Sequence, residues 1–234
     1  MTTEQPFQIP LSVSLRDDAR FENFFEQGNE LVCENLKKMA RGTGEQFIYL
    51  WGSQGVGCSH LLQATCHAAE PEGRSAAYLP LNELVHLDGN VLEGMEFLDL
   101  VCLDNLQAIA GNAEWEEAVF HFFNRIRELG NHLIVAAPAS PRNLGIVLPD
   151  LTSRLSWGVA IQLQELDDEL KLKAIQMRAS LRGLEFTDEV GRFLLYHTSR
   201  NMNDLTQLLE QLDQASLSAK RKVTIPFIKE VLGL

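Results

Sequence analysis

The sequence is short of several things, and each shortage removes a class of function. Only four cysteines occur in 234 residues, Cys33, Cys58, Cys66 and Cys102, and none forms a C-x-x-C pair. No histidine lies near them at zinc-ligand spacing, so they read as reduced thiols filling the core rather than as a disulfide framework or metal site. No apolar run approaches the roughly 18–20 residues that span a bilayer. The N-terminus, MTTEQPFQIPLSVSLRDD, lacks a basic stretch followed by an apolar core, so it does not read as a secretory signal. A cytoplasmic protein with no membrane partner is expected. Basic residues are scarce: 20 Lys and Arg against 32 Asp and Glu, a net charge of −12. Tight, autonomous DNA binding usually needs a basic face, so any contact with DNA is expected to be indirect. The small basic clusters, Lys37-Lys38-Arg41 and Lys220-Arg221-Lys222, read as solvated helix ends. Internal repeats and low-complexity tracts are missing too.

What is present is an ordinary globular composition, 45% hydrophobic and 22% charged. The apolar runs 46-QFIYLW-51, 76-AAYLP-80, 98-LDLVCLD-104, 132-HLIVAA-137 and 159-VAIQLQ-164 read as five strands. Helical patterns alternate with them. One covers 23–40. Another, 114–129, puts Trp115, Val119, Phe122, Ile126 and Leu129 on a single stripe, with Asn112 as its N-cap. Strands alternating with helices imply a parallel sheet covered on both faces. After residue 165 no strand pattern returns. Helices are expected over about 167–182, 187–199, 201–219 and 225–233, with Gly183 as a stop and Thr187, Asn201 and Thr224 as starts. The chain therefore divides into an extended tail (1–20), an α/β domain (21–165) and an all-helical subdomain (166–234).

The first strand runs into Gly52-Ser53-Gln54-Gly55-Val56-Gly57-Cys58-Ser59 and then into an apolar helix containing His60, Leu61 and Leu62. Glycines let the backbone curl until its N–H groups point inward, and the positive helix end behind them favours phosphate oxygens. A glycine-rich turn with no ligand is the plainer alternative. Cys58 stands where the phosphate-loop pattern G-x-x-x-x-G-K-[ST] has its lysine. A nucleoside diphosphate should therefore be tolerated better than a triphosphate. Ser59 keeps the hydroxyl that can ligate Mg²⁺. The strand ending in Asp104 offers the carboxylate such a metal needs, though a strand-end turn residue would look the same.

Taken with 154-RLSWG-158 and the helical tail, these residues resemble an AAA+ domain of the DnaA type over residues 20–234. The likeness is closer still to the Hda family of DnaA-related regulators. Phe21-Glu22-Asn23-Phe24-Phe25 with Gly28-Asn29 resembles the segment beside the adenine. Ser59-His60-Leu61-Leu62 resembles the start of the loop helix, and 148–158 the box that carries an arginine finger. The resemblance implies a nucleotide site built from Phe21, Phe24, Gly52, Ser53, Gln54, Gly55, Val56, Gly57, Cys58, Ser59, His60, Asp104 and Asn203. It also implies a helical lid, and a finger at Arg154 acting on a partner's nucleotide. A surface arginine paired with Asp150 is the alternative for Arg154. Gln8-Ile9-Pro10-Leu11-Ser12-Val13 is similar to the peptide that docks on the DNA polymerase III sliding clamp; a disordered tail is the alternative.

Four departures from that family pattern weaken chemistry on the chain's own nucleotide. Cys58 replaces the lysine, and Asn105 the second acid. Ala136 and Ala137 offer no polar group at the sensor I strand end, and Asn203 stands at the sensor II arginine, with Arg200 close by. The resemblance thus implies a chain with little or no ATPase activity of its own, holding ADP or another nucleoside diphosphate. On the DNA-loaded clamp it would stimulate hydrolysis by ATP-bound DnaA and prevent over-initiation, nucleoid-associated through its partners. An autonomous ATPase of the helicase-loader type is the competing expectation.

Overall fold

The computed structural model describes residues 15–199 and 201–233. Five strands, β1 (Phe47–Trp51), β2 (Ala76–Pro80), β3 (Leu100–Asp104), β4 (His132–Ala137) and β5 (Val159–Gln162), form one sheet in the order β2-β3-β4-β1-β5. Every pairing is parallel, with Phe47 opposite Leu133 and Ile48 opposite Val159. Because successive side chains point to opposite faces, each strand feeds two cores. Phe47, Tyr49, Val101, Leu103, Leu133 and Val135 join one cluster with Trp115, Val119, Phe122 and Leu155. Ile48, Leu50, Leu100, Cys102, Ile134 and Ala136 join another with Leu36, Met39, Leu61 and Leu62.

The first cluster is covered by α3 (Leu81–Leu84), α4 (Ala113–Glu128) and α5 (Pro149–Leu155), the second by α1 (Glu30–Ala40) and α2 (Cys58–Ala69). Beyond β5 the chain is helical: α6 (Asp168–Leu181), α7 (Asp188–His197), α8 (Met202–Ala219) and α9 (Ile225–Leu232) close around a third core of Leu172, Ile175, Leu194, Leu205, Leu212 and Ile228. The expected caps act as such. The side chains of Asn112, Thr187, Asn201 and Thr224 each accept a first-turn N–H. Gly183 stops α6 in the left-handed region, at φ 73°.

Two expectations fail locally. A continuous helix over 23–40 is interrupted: a 3-10 turn covers Phe21–Asn23, and α1 starts only at Glu30, after Gly28 takes φ 84°. Leu129 leaves the buried stripe of α4 because it is the residue that ends the helix; it is 50% exposed.

Among the described residues no helix is long and apolar enough to cross a membrane. Cys33, Cys66 and Cys102 are buried and Cys58 partly so, all unpaired.

Candidate functional site

Parallel strands deliver their connecting loops to the carboxyl edge of the sheet, and that is where α/β ligands bind. Gly52 follows β1, Asp104 ends β3, Ala137 ends β4, and Leu166 follows β5. All four line one cleft of about 620 Å³, roofed by α6 and α8. Its volume lies within the range of small-molecule and cofactor sites.

The loop between β1 and α2 tolerates no side chains at its glycines. A Cβ on Gly52 would lie 2.8 Å from Val56 and 3.1 Å from the Leu163 carbonyl; one on Gly57, at φ 116°, would lie 2.8 Å from the Phe24 ring. Gly55, at φ 83°, lies directly under the Asn201 amide. Gly57 is the N-cap of α2 and no side chain caps that helix, so its first-turn amides are left facing the cleft. An uncapped positive helix end behind a curled glycine loop fits a diphosphate.

The side chains around this cradle carry little positive charge. Cys58 contributes a neutral thiol: burial, and secondarily the Asp104 carboxylate, push its pKa up to about 12. Asp104 is 3% exposed and already engaged. Its Oδ2 accepts from the Tyr78 hydroxyl at 2.7 Å and its Oδ1 from the Asn105 N–H at 2.8 Å. Burial, then Asp104, raises the Tyr78 phenol well above its usual value, so it stays a donor. Both Asp104 oxygens keep a second lone pair, so Asp104 with Ser59 and phosphate oxygens fits the donor set of Mg²⁺. Asn105 is held at φ 58°; its amide donates to Asn82 at 3.1 Å and accepts from Gln107 at 3.1 Å. An amide so bonded has no basicity to deprotonate a water. Ala137 and Pro138 bring no polar side chain. Ser53 donates its hydroxyl to Glu165, which adds another carboxylate beside the loop.

The other end of the cleft combines two arginines that no local motif announces with Asn29, His60 and Asn201, which the sequence singles out. Arg16 and Arg178 are its only Lys or Arg side chains among the described residues. Asn201, read from the sequence simply as a helix start, also donates Nδ2 to the Gln54 carbonyl at 3.0 Å, tying α8 to the phosphate loop. Asn29 pairs with the backbone of Gln164, donating at 3.1 Å and accepting at 2.8 Å, and so fixes the crossing from β5 to α6. His60 donates Nε2–H to the Arg20 carbonyl at 2.8 Å, which leaves Nδ1 as an acceptor facing Arg178. Burial, and next the Arg178 guanidinium, depress its pKa to about 4, so the ring is neutral.

Of the residues expected at a nucleotide, the structure gathers Phe24, the whole of 52–60, Asp104 and Asn203. It does not bring Phe21 there. That ring packs into the α1–α2 core, with the Lys37 ammonium 5.1 Å from its centroid. Gln8 to Val13, and Arg200, lie outside the described residues.

Arg154 sits elsewhere. It occupies the last turn of α5 and does not line the cleft. Its guanidinium lies 6.0 Å from the Phe120 ring on α4. No ion pair with Asp150, or with any other described residue, holds it. The start of α5 is pinned from within by Glu116, 1% exposed, whose carboxylate accepts N–H groups from Gly111 (2.7 Å), Val147 (3.0 Å) and Leu148 (2.7 Å).

Residues 15–162 match the model for the bacterial DnaA ATPase domain, and residues 168–232 the model for the Hda lid domain. Domain III of the Thermotoga maritima replication initiation protein DnaA superposes with a TM-score of 0.79 at 22% identity, over 94% of this chain and 98% of that one. DnaA from Aquifex aeolicus, solved with AMPPCP bound, gives 0.74 at 26% identity, over 87% and 68%. The Thermotoga maritima Holliday-junction motor RuvB shares the fold at 0.64 and 14% identity, over 89% and 67%.

Proposed function

The chain belongs to the bacterial DnaA ATPase-domain family, and from that premise we propose that it switches off another member of the family instead of hydrolysing nucleotide for itself. The cleft holds ADP or another nucleoside diphosphate, with Ser59 and Asp104 available to Mg²⁺. Gly52 to His60 bind the phosphates, and Phe24 closes over the loop. The site has no loop lysine, no second acid and no polar group at the end of β4, so a bound nucleotide there acts as a structural wedge between sheet and lid.

The observation that carries the reading is Arg154. It is a cation with no ion-pair partner among the described residues, set outside the chain's own cleft on a helix braced by a buried carboxylate. In ATP-bound DnaA an arginine entering across an interface would stabilise charge on the transferring phosphoryl group, an effect of about 10³–10⁵ in rate in well-studied cases. Residues 8–13 would dock the chain on the DNA-loaded sliding clamp, which brings an acidic protein to DNA without DNA contacts of its own. The outcome would be an initiator converted to its ADP form and restrained from firing again.

The test is a reconstitution with ATP-loaded DnaA, clamp on DNA and this chain, following phosphate release. Arg154→Ala should abolish stimulation while diphosphate binding persists; Gln8→Ala should weaken it in proportion to lost clamp binding. Turnover by the purified chain alone, eliminated by Asp104→Ala, would support an autonomous ATPase instead.

A further inference from the structure

We propose that Arg178, on the first lid helix α6, is the phosphate-binding cation of the cleft, replacing from the lid the charge that Cys58 does not supply from the loop. This rests on the nucleotide reading above and adds to it a residue and a consequence: the diphosphate itself ties the lid to the α/β domain.

The neighbouring cations Arg16 and Arg182 are already committed to carboxylates. Arg16 pairs with Asp18 at 3.0 Å and approaches Glu210 at 3.7 Å. Arg182 lies 3.4 Å from Glu210 and 3.9 Å from Asp18. Arg178 makes no ion pair among the described residues, and its two polar partners are a hydroxyl and an imidazole nitrogen, not carboxylates. Nη1 donates to Thr206 Oγ1 at 2.7 Å, and Nη2 lies 3.5 Å from His60 Nδ1. Thr206 gives its own hydroxyl proton to the Met202 carbonyl at 2.7 Å, so its oxygen is committed to accepting from Arg178. A guanidinium has five N–H donors in a fixed plane. Two are used in aiming it, and the rest are left for oxygens entering the cleft.

His60 fixes which part of a ligand Arg178 can reach. It is the third residue of α2, in the uncapped first turn whose amides are the expected phosphate donors. A guanidinium packed against its ring is next to that turn. The electrostatics agree. Burial lowers the Arg178 pKa; Asp18 and Glu210 oppose this, while Arg182 and Arg16 add to it. An arginine does not lose its proton under such pressure, so Arg178 stays a cation that no ion pair among the described residues neutralises. A diphosphate supplies the negative charge, and with it a charge-assisted bond of the strong kind.

The measurement is calorimetric titration of the full chain with ADP, AMP and adenosine, in parallel for wild type, Arg178→Gln and Arg178→Lys, with melting curves to verify folding. Arg178→Gln should weaken ADP by about 10- to 100-fold. It should change adenosine by less than about twofold, a difference well below one hydrogen bond. Arg178→Lys, which keeps the charge but not the fork, should fall between. Equal ADP affinity in wild type and Arg178→Gln overturns the assignment while the nucleotide reading stands. So does a loss that is the same for ADP and adenosine, since that marks a base or ribose contact, or general damage to the lid. If the wild type binds none of the three ligands, the nucleotide reading itself fails. Should Arg178→Gln not fold, the ADP-to-adenosine ratio of Arg178→Lys decides: a drop of several-fold supports the assignment and an unchanged ratio overturns it.

Discussion

Replacing Cys58 by lysine restores the group the phosphate loop lacks, and its consequences can be worked out in advance. Position 58 is the first residue of α2 and opens on the cleft, so a long side chain has space to extend between the loop and Asp104. The thiol there carries no charge, its pKa pushed up to about 12 by burial and then by Asp104. A lysine ammonium in its place would add a hydrogen bond between charged groups, about 1.5–3 kcal/mol, directed at the outer phosphates. That is about 10- to 100-fold in affinity. The gain should fall mainly on a triphosphate, whose γ-phosphate has no other cation in the loop. By mass action an affinity gain of that size raises the melting temperature, at saturating ligand, by about 3–10 °C for a chain of this size. Melting curves with a non-hydrolysable triphosphate and with ADP measure both shifts. Hydrolysis should not appear, because the Asn105 amide is still no base and the end of β4 still carries alanine. A Cys58→Lys protein with unchanged ATP-analogue affinity would refute the reasoning that the missing lysine sets nucleotide preference. So would one that hydrolyses ATP at rates typical of the fold.

The buried carboxylate of Glu116 holds three backbone N–H groups, so Glu116→Ala should cost about 3 kcal/mol by leaving them unpaired, measured by denaturant unfolding. It should also blunt stimulation of the partner more than nucleotide binding, because the start of α5 is what it fixes. Gly55→Ala forces a left-handed φ of 83° on a residue with a Cβ and drives that atom into Asn201. A loss of about 1–3 kcal/mol in melting experiments, with weaker diphosphate binding, is expected. For His60 the folded pKa, about 4, lies below the unfolded value near 6.5. Below pH 6.5 the unfolded chain therefore binds a proton that the folded chain refuses. The stabilising contribution is intact above pH 6.5 and is lost as pH falls towards 4, by about 1–2 kcal/mol at pH 5. His60→Gln should flatten stability between pH 7 and 5 by that amount; an unchanged slope would show that the imidazole titrates normally.

The strands were legible because both faces of a parallel sheet are buried, so runs such as LIVAA carry no polar interruption. The helical caps were equally plain, since Asn112, Thr187 and Thr224 act through their immediate neighbours. The helix expected over 23–40 failed at Gly28, where an apolar period continued through a residue that the backbone uses to turn. Phe21 and Phe24 are three residues apart and looked equivalent; only packing sends the first under Lys37 and leaves the second at Gly57. The loop glycines announce a phosphate cradle because the reason for each is local. Arg178 had no such signal. It is one basic residue on a lid helix, and its relation to His60, 118 residues earlier, exists only once α6 closes over α2. Glu116 is similar: an acid near a helix start reads as dipole complement, and its grip on Val147 and Leu148 comes from the fold.

The most direct test of the account is phosphate release from ATP-loaded DnaA in the presence of clamp-bearing DNA and either the wild-type chain or Arg154→Ala. Stimulation by the wild type and none by the variant, at equal diphosphate affinity and equal melting temperature, is the predicted result. Undiminished stimulation by Arg154→Ala would contradict it.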